Sequence, residues 1–428
     1  MEEAAERPAH TRHNFLALGL DYSFFLIGMS FASQVTILPA FAAHLGASNV
    51  VIGAVPAVLM LGWFLPSLFA AHHTERLERK LPFVLRYTVW ERVPLGVLAA
   101  VAFFLAGPAP TLTLGVLLLL LLVMTGVGGA LMPAWMDIVG RTIPTTLRGR
   151  FFGAANVVGS AGGLLGSLLT AYILAAVEPP RSYGFCFLAG TVFLALSYAA
   201  LATTREPTGA VASTAVSLGA YLRRMPALLR RDRNLSWFLV ARGFGTLGAM
   251  ANGFYTVYAL RAWEAPEWQV GVFTTIFLAG QLVGNLGLGW LADHAGHRLV
   301  LVLGLGAMVA GNLVALGAGS VETFSPVFAL AGIHNAAVHV SARTILLELA
   351  ADVVERPTYI GLANTALAPL SFGAPLVAGL MADRLGFATV FGVAAALSAV
   401  SLVLLLARVR EPRHARRDTR GSSTGHGR

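Results

Sequence analysis

The amino-acid sequence predicts an all-α membrane protein: twelve transmembrane helices in two pseudo-symmetric six-helix bundles. Three observations point there: a composition unsuited to a water-facing surface, twelve apolar runs each long enough to cross a bilayer, and two matches that lay the second half of the chain on the first. Of 428 residues, 56% are hydrophobic and 12% charged, whereas soluble domains carry about 25% charged residues. The mean hydropathy is +0.72. A hydrocarbon core takes roughly 20 apolar residues per helix, and only helices or closed barrels satisfy their backbone amides inside it. Runs rich in Leu, Ala, Gly and Phe without strict alternation select helices.

The first six spans lie near residues 14–40, 48–71, 82–106, 111–139, 151–176 and 183–203, and the second six near 235–260, 269–292, 298–318, 323–349, 357–382 and 386–408. Turn-forming stretches separate them: "HLGASN", "GPAPT", "VEPPRS", "WEAPEW" and "LGAGSVETFSP". Residues 1–203 are thus expected to form an N-terminal bundle and 235–408 a C-terminal one. Between them lies a cytoplasmic linker at 204–234, and after them a disordered cytoplasmic tail at 409–428. Glu2, Glu3 and Glu6 beside Arg7 and Arg12, ahead of a long first run, indicate a retained helix rather than a cleaved signal peptide.

Charge sets the direction. With the N-terminus inside, the inner segments hold twenty-three Arg and Lys and the outer loops only Arg181, Arg261 and Arg384. Cytoplasmic loops carry that excess, so both termini are expected inside a plasma (inner) membrane. The net charge of +9 is then a topology signal, and no nucleic acid is expected as a partner. The linker interleaves Arg223, Arg224, Arg230 and Arg231 with Tyr221, Leu222, Leu228 and Leu229. That pattern fits a basic helix lying on an anionic leaflet or, equally, a solvated linker. Cys186 is the only cysteine, which leaves no internal disulfide and no multi-thiolate metal cluster.

The halves repeat. "RGRFFGAAN" from Arg148 aligns on "RPTYIGLAN" from Arg356, 208 residues later. "VIGAVPAVLMLGWFLPS" from Val51 aligns on "QVGVFTTIFLAGQLVGN" from Gln269, pairing Gly53 with Gly271 and Gly62 with Gly280, 218 residues apart. The same spacing lays Asp293 on Glu75 and Arg298 on Lys80. A parallel repeat of six-helix halves is a transporter architecture.

The segment "GWLADHAGHR", Gly289 to Arg298, resembles the G-x-L-A-D-x-x-G-x-R/K signature of the major facilitator superfamily through Gly289, Leu291, Ala292, Asp293, Gly296 and Arg298. The resemblance implies that this turn follows the eighth helix on the cytoplasmic side and latches one of two conformations. On the residues alone, Gly289 would let a neighbouring helix approach, Gly296 would take a positive φ, and Asp293 and Arg298 would supply the charges. Glu75 and Lys80 form the first-half copy, with Glu78 in place of the glycine. The fifth-span "VGSAGGLLGS" resembles a motif of proton-coupled drug antiporters, with Leu164 where they have Pro, and the fourth span lacks their Arg.

Ionisable residues inside spans need a partner, water or a role. Asn335, His339 and Arg343 recur every four residues in the tenth span, one face of a helix. The resemblance implies that the first, fourth, seventh and tenth helices line a central cavity, which makes that stripe a candidate for solute contact. His339 is also a titratable group near neutral pH, whereas His334, off the stripe, is expected to pack. Asp21 and Arg242 lie at similar depths in equivalent helices, as partners of each other or as separate solute- and proton-binding groups. Asp137 and Arg141 are an inner-gate or structural pair, Glu91 and Arg92 are expected to pack, and Asn252 and Tyr255 are further cavity candidates. No phosphate loop, H-E-x-x-H or G-x-S-x-G occurs, so no enzyme activity, metal or cofactor is expected. The resulting expectation is a monomeric secondary active transporter that moves a small organic solute by alternating access, with protons as the candidate coupling ion. A receptor or scaffold on the same fold is the alternative.

Overall fold

The computed structural model describes residues 10–74, 77–207, 226–350 and 356–412. Glu75, Arg223 and Arg224, and the tail beyond Pro412 lie outside the described residues. Among those described, every regular element is helical, and the helices fall where twelve spans were expected. In the first half they are Thr11–Ser30 with Ile37–His44, Asn49–Thr74, Leu81–Tyr87 with Val89–Phe104, Pro110–Thr142, Thr145–Ala176 and Arg181–Ala202. In the second half they are Arg233–Gly248 with Tyr255–Ala262, Trp268–Ala295, His297–Gly317, Val321–Phe324 with Pro326–Leu349, Arg356–Leu385 and Phe387–Arg408.

Among the described residues nine of these helices are long and apolar enough to cross a membrane. The three spans that fall short are the first, seventh and tenth. Two of them are interrupted in the middle and the third carries the Asn335–His339–Arg343 stripe, so the spans poorest as lipid-facing rods are the ones that hold polar groups.

The chain packs as two compact units, residues 1–215 with 264–275, and residues 216–263 with 276–428. In the first unit, the second and fourth spans cross closely. A Cβ at Gly62 would strike the Thr125 side chain and the Gly126 backbone, and one at Gly129 would lie 2.5 Å from the Gly62 carbonyl oxygen. The second unit repeats this between its eighth and tenth spans. There a Cβ at Gly280 would lie 2.4 Å from the Ala329 carbonyl oxygen and one at Gly332 would lie 2.2 Å from that of Phe277. Small residues at such crossings let backbones touch where lipid provides no hydrophobic drive. Residues 264–275 are tied into the first unit by three links. Thr36 and Thr274 share a hydrogen bond of 2.7 Å and Ser167 and Thr275 one of 2.9 Å, while Glu267 accepts from Tyr183 and faces His44 at 3.3 Å.

The described end of the linker, residues 226–231, is helical. Leu228 and Leu229 pack on the core of the second unit around Leu235, Phe238 and Tyr359. Those two leucines therefore face protein rather than a leaflet, which corrects the surface-helix reading for this part of the segment.

Candidate functional site

The first span breaks between Ser30 and Ile37, and the seventh between Gly248 and Tyr255, through a single 3₁₀ turn at Ala249–Ala251. Ser30 and Gly248, Ile37 and Tyr255, and His44 and Ala262 are each 218 residues apart, the spacing of the sequence repeat. An unwound segment at membrane depth releases backbone amides and is tolerated only where protein or a water-filled cavity serves them. Gln34 sits exposed in the first break, and Asn252 occupies the equivalent place in the second. The Asn252 side-chain oxygen is buried without a hydrogen-bond partner among the described residues. Gln34 was missed in the sequence, although the 218-residue spacing that pairs Gly53 with Gly271 also pairs it with Asn252. Tyr255, expected at a cavity, is 1% exposed and donates to Asn312 at 3.1 Å. It stands among Phe324, Phe328 and Phe391 and is an aromatic core residue.

Asp21 is 2% exposed. One carboxylate oxygen accepts from Arg92 at 3.0 Å and Ser197 at 2.6 Å, and the other from Trp135 Nε1 at 2.9 Å. Arg92 also meets Glu91 at 3.1 Å, and Thr88 donates to Glu91 at 2.8 Å. Asp21 thus takes its partners from the third, fourth and sixth spans of its own unit, and Glu91 and Arg92 are an ionic network rather than packing residues. Two carboxyl groups share one guanidinium, so the cluster is electrically neutral only with one proton on a carboxyl.

At the end of the first unit where that unit's third span begins, Lys80 Nζ lies 2.5 Å and Arg141 Nε 2.6 Å from Asp137. Arg141 donates to the Glu78 carbonyl at 2.9 Å. The candidate latch residue and the candidate gate pair are therefore one cluster. Glu206 accepts from the backbone N–H of Lys80 at 2.9 Å and of Leu81 at 2.7 Å, a carboxylate on a helix N-terminus, where the helix dipole favours it.

The second unit repeats the device. Glu411 accepts from the Arg298 N–H at 2.9 Å, and the Arg298 guanidinium donates to the Leu405 and Leu406 carbonyls at 3.0 and 2.6 Å. Asn14 brackets the Arg205 backbone with bonds of 2.9 and 2.8 Å, and Asn234 does the same for Arg410 at 3.0 and 2.8 Å. The signal was in plain view: Arg-Glu-Pro occurs at 205–207 and again at 410–412. Gly296 has φ +93°, and a Cβ there would lie 2.5 Å from the Glu411 carboxyl carbon, so the glycine is needed twice over. Gly289 is different. A Cβ there meets nothing within 4 Å, which corrects the close-approach reading; close contacts on this helix fall at Gly280 and Gly284 instead. Asp293 is exposed.

In the tenth span Asn335 is half-buried, while His339 and Arg343 are exposed. His334 is buried, with Nδ1 3.0 Å from the Gly304 carbonyl. His297, which the sequence reading passed over, joins Ser341 at 3.1 Å to Glu348 at 3.7 Å. Arg242, half-buried, lines a narrow cleft with Leu301, Leu305, His334, Ser401 and Leu405 among the walls.

A sequence profile described as Major Facilitator Superfamily matches residues 20–266 and 244–426. No curated protein matches in sequence. Among solved structures, a mutant form of the nucleoside transporter NupG is 15% identical with a TM-score of 0.69, covering 92% of this chain and 100% of its own. The D-xylose-proton symporter is 13% identical at 0.66, over 94% and 98%. The human organic anion transporter MFSD10 (TETRAN) is 15% identical at 0.61, over 92% and 99%. The similarity extends along both halves and the fold is shared end to end: the chain belongs to the Major Facilitator Superfamily.

Proposed function

We propose that this secondary active transporter carries a small organic solute by alternating access, coupled to protons, and that the break in its first span and the matched break in its seventh each offer polar groups to the solute. The matched breaks carry this reading. Two unwound segments at the same repeat position, with Gln34 in one and Asn252 in the other, set hydrogen-bonding groups at mid-span, where such folds hold substrate. Asn335, His339 and Arg343 are further contacts. The Asp21–Glu91–Arg92 cluster supports proton coupling, because its charge balance calls for one proton, and His339 is a second candidate carrier. The Lys80–Asp137–Arg141 cluster and the paired Glu206 and Glu411 clamps, with Gly296, Asp293 and Arg298, are the proposed conformational latches.

The Arg and Lys distribution supports a plasma membrane location with both termini cytoplasmic. The similar structures carry names of nucleoside, D-xylose and organic anion transporters, a spread that leaves solute choice to the side chains. Flux of a mixed solute panel into proteoliposomes, with and without an imposed pH gradient, tests the reading. The expected result is accumulation of one solute class driven by the gradient. Flux that ignores the gradient removes the coupling, and no flux of any class removes the transport proposal.

A further inference from the structure

Two carboxyl groups meet one guanidinium in the first unit, and their surroundings are unequal. Asp21 has both oxygens engaged: Oδ1 accepts from Arg92 at 3.0 Å and Ser197 at 2.6 Å, and Oδ2 from Trp135 at 2.9 Å. Glu91 has only one engaged. Thr88 at 2.8 Å and Arg92 at 3.1 Å both donate to its Oε2, and Oε1 has no hydrogen-bond partner among the described residues. That second oxygen rests against the fourth span, where a Cβ at Gly128 would lie 2.5 Å from it. Glycine at 128 leaves the space that the oxygen fills.

Hydrogen bonds donated to a carboxylate favour its ionised form, so three donors over two oxygens favour the anion at Asp21 over the anion at Glu91. A proton on Glu91 Oε1 displaces no existing bond, whereas either oxygen of Asp21 would have to give up a donor to carry one. Exposure points the same way: the Glu91 side chain is 11% exposed and that of Asp21 4%, so water reaches Glu91 more readily. The charged groups that face Glu91 are Arg92 on its own helix and Asp21 from the first span. Around the cluster the second span presents Trp63, the fourth Gly128 and Trp135, and the sixth Ser197, none of which titrates near neutral pH. We propose that Glu91, rather than Asp21, holds and releases the coupling proton, an assignment that rests on the proton-coupled reading above. Release takes the proton from Oε1, leaves two carboxylates on Arg92 and gives the cluster one net negative charge; uptake restores neutrality. Asp21 is then the standing counterion that positions Arg92.

The test reads the proton itself, on the full chain in lipid vesicles, through infrared difference spectra between acid and alkaline buffer. A buried protonated carboxyl gives its own C=O stretching band. The expected result is a band that shifts when the glutamate side-chain carboxyls are isotopically labelled, stays in place when the aspartates are labelled, and is lost in Glu91→Gln. Asp21→Asn should lose it as well, because one guanidinium then serves one carboxylate, and this variant carries the test if Glu91→Gln fails to fold. A band moved by the aspartate label overturns the assignment. So does a glutamate band that persists in either variant, or the absence of any band across the pH range. The spectrum needs no solute, so two failures separate. A band on aspartate sinks this assignment and leaves proton-driven flux standing, whereas flux that ignores an imposed gradient while the glutamate band is present sinks the coupling.

Discussion

The two units handle buried charge at equivalent helices in opposite ways. In the first, the third, fourth and sixth spans converge on Asp21 of the first span and occupy both oxygens of its carboxylate with Arg92, Ser197 and Trp135. In the second, the seventh, ninth, tenth and twelfth spans converge on a cleft where Arg242 stands without a partner among the described residues. The repeat keeps backbone features such as the broken helices, the glycine crossings and the Arg-Glu-Pro clamps. It does not keep the side chains in the middle of each bundle. One unit thereby ties its buried charges into a hydrogen-bonded ionic cluster, and the other leaves Arg242 outside any such cluster among the described residues.

Substitutions can break or sharpen that contrast. The largest effect is expected from Arg92→Met, which strands two buried carboxyls. Loss of one partner of a buried pair costs about 3–5 kcal/mol, read as thermal or denaturant unfolding of the purified protein. The triple variant Asp21→Asn, Glu91→Gln, Arg92→Met should recover most of that loss, and equal instability in both would show that the charges are not coupled. Gly296→Ala comes next, at about 1–3 kcal/mol, because its φ of +93° strains any side chain and the new Cβ meets Glu411. Smaller again is removal of the clamp charges, about 1 kcal/mol each. Glu206→Gln should cost more than Glu411→Gln, since both Glu206 oxygens are bonded while one Glu411 oxygen is buried without a partner among the described residues. The reverse order would mean that the two clamps are not built alike. Smallest is Arg242→Gln without solute: unfolding should be unchanged or slightly delayed, because an unpartnered charge is removed and no bond is lost. A marked destabilisation there would reveal a structural partner and dissolve the contrast between the units.

Much of this molecule was legible in advance, and the failures share one form. Twelve spans, the two-half repeat and the signature at Gly289–Arg298 are local or periodic, so they can be read along the chain. Tyr255 misled because Tyr in a polar-looking span is equally a cavity residue or a core hydrogen bonder, and only Asn312 and the surrounding rings settle which. Glu91 and Arg92 misled because adjacency in sequence hid the fact that Arg92 reaches a carboxylate 71 residues away. Gln34 and the Arg-Glu-Pro pair do have a signal in the chain, as a single position matched by Asn252 and as a repeated tripeptide.

Hydrophobicity, turn chemistry and the placement of Arg and Lys are enough to specify a chain that threads a bilayer twelve times and folds back on its own repeat, because each of those properties acts over a single helix or loop. The choice of partner for each buried ion lies beyond that reach. It depends on the rotation and depth of helices remote in the chain. A shift of one residue turns a side chain by about 100° on a helix of 3.6 residues per turn, so only the packed structure decides that Asp21 meets Arg92, Ser197 and Trp135.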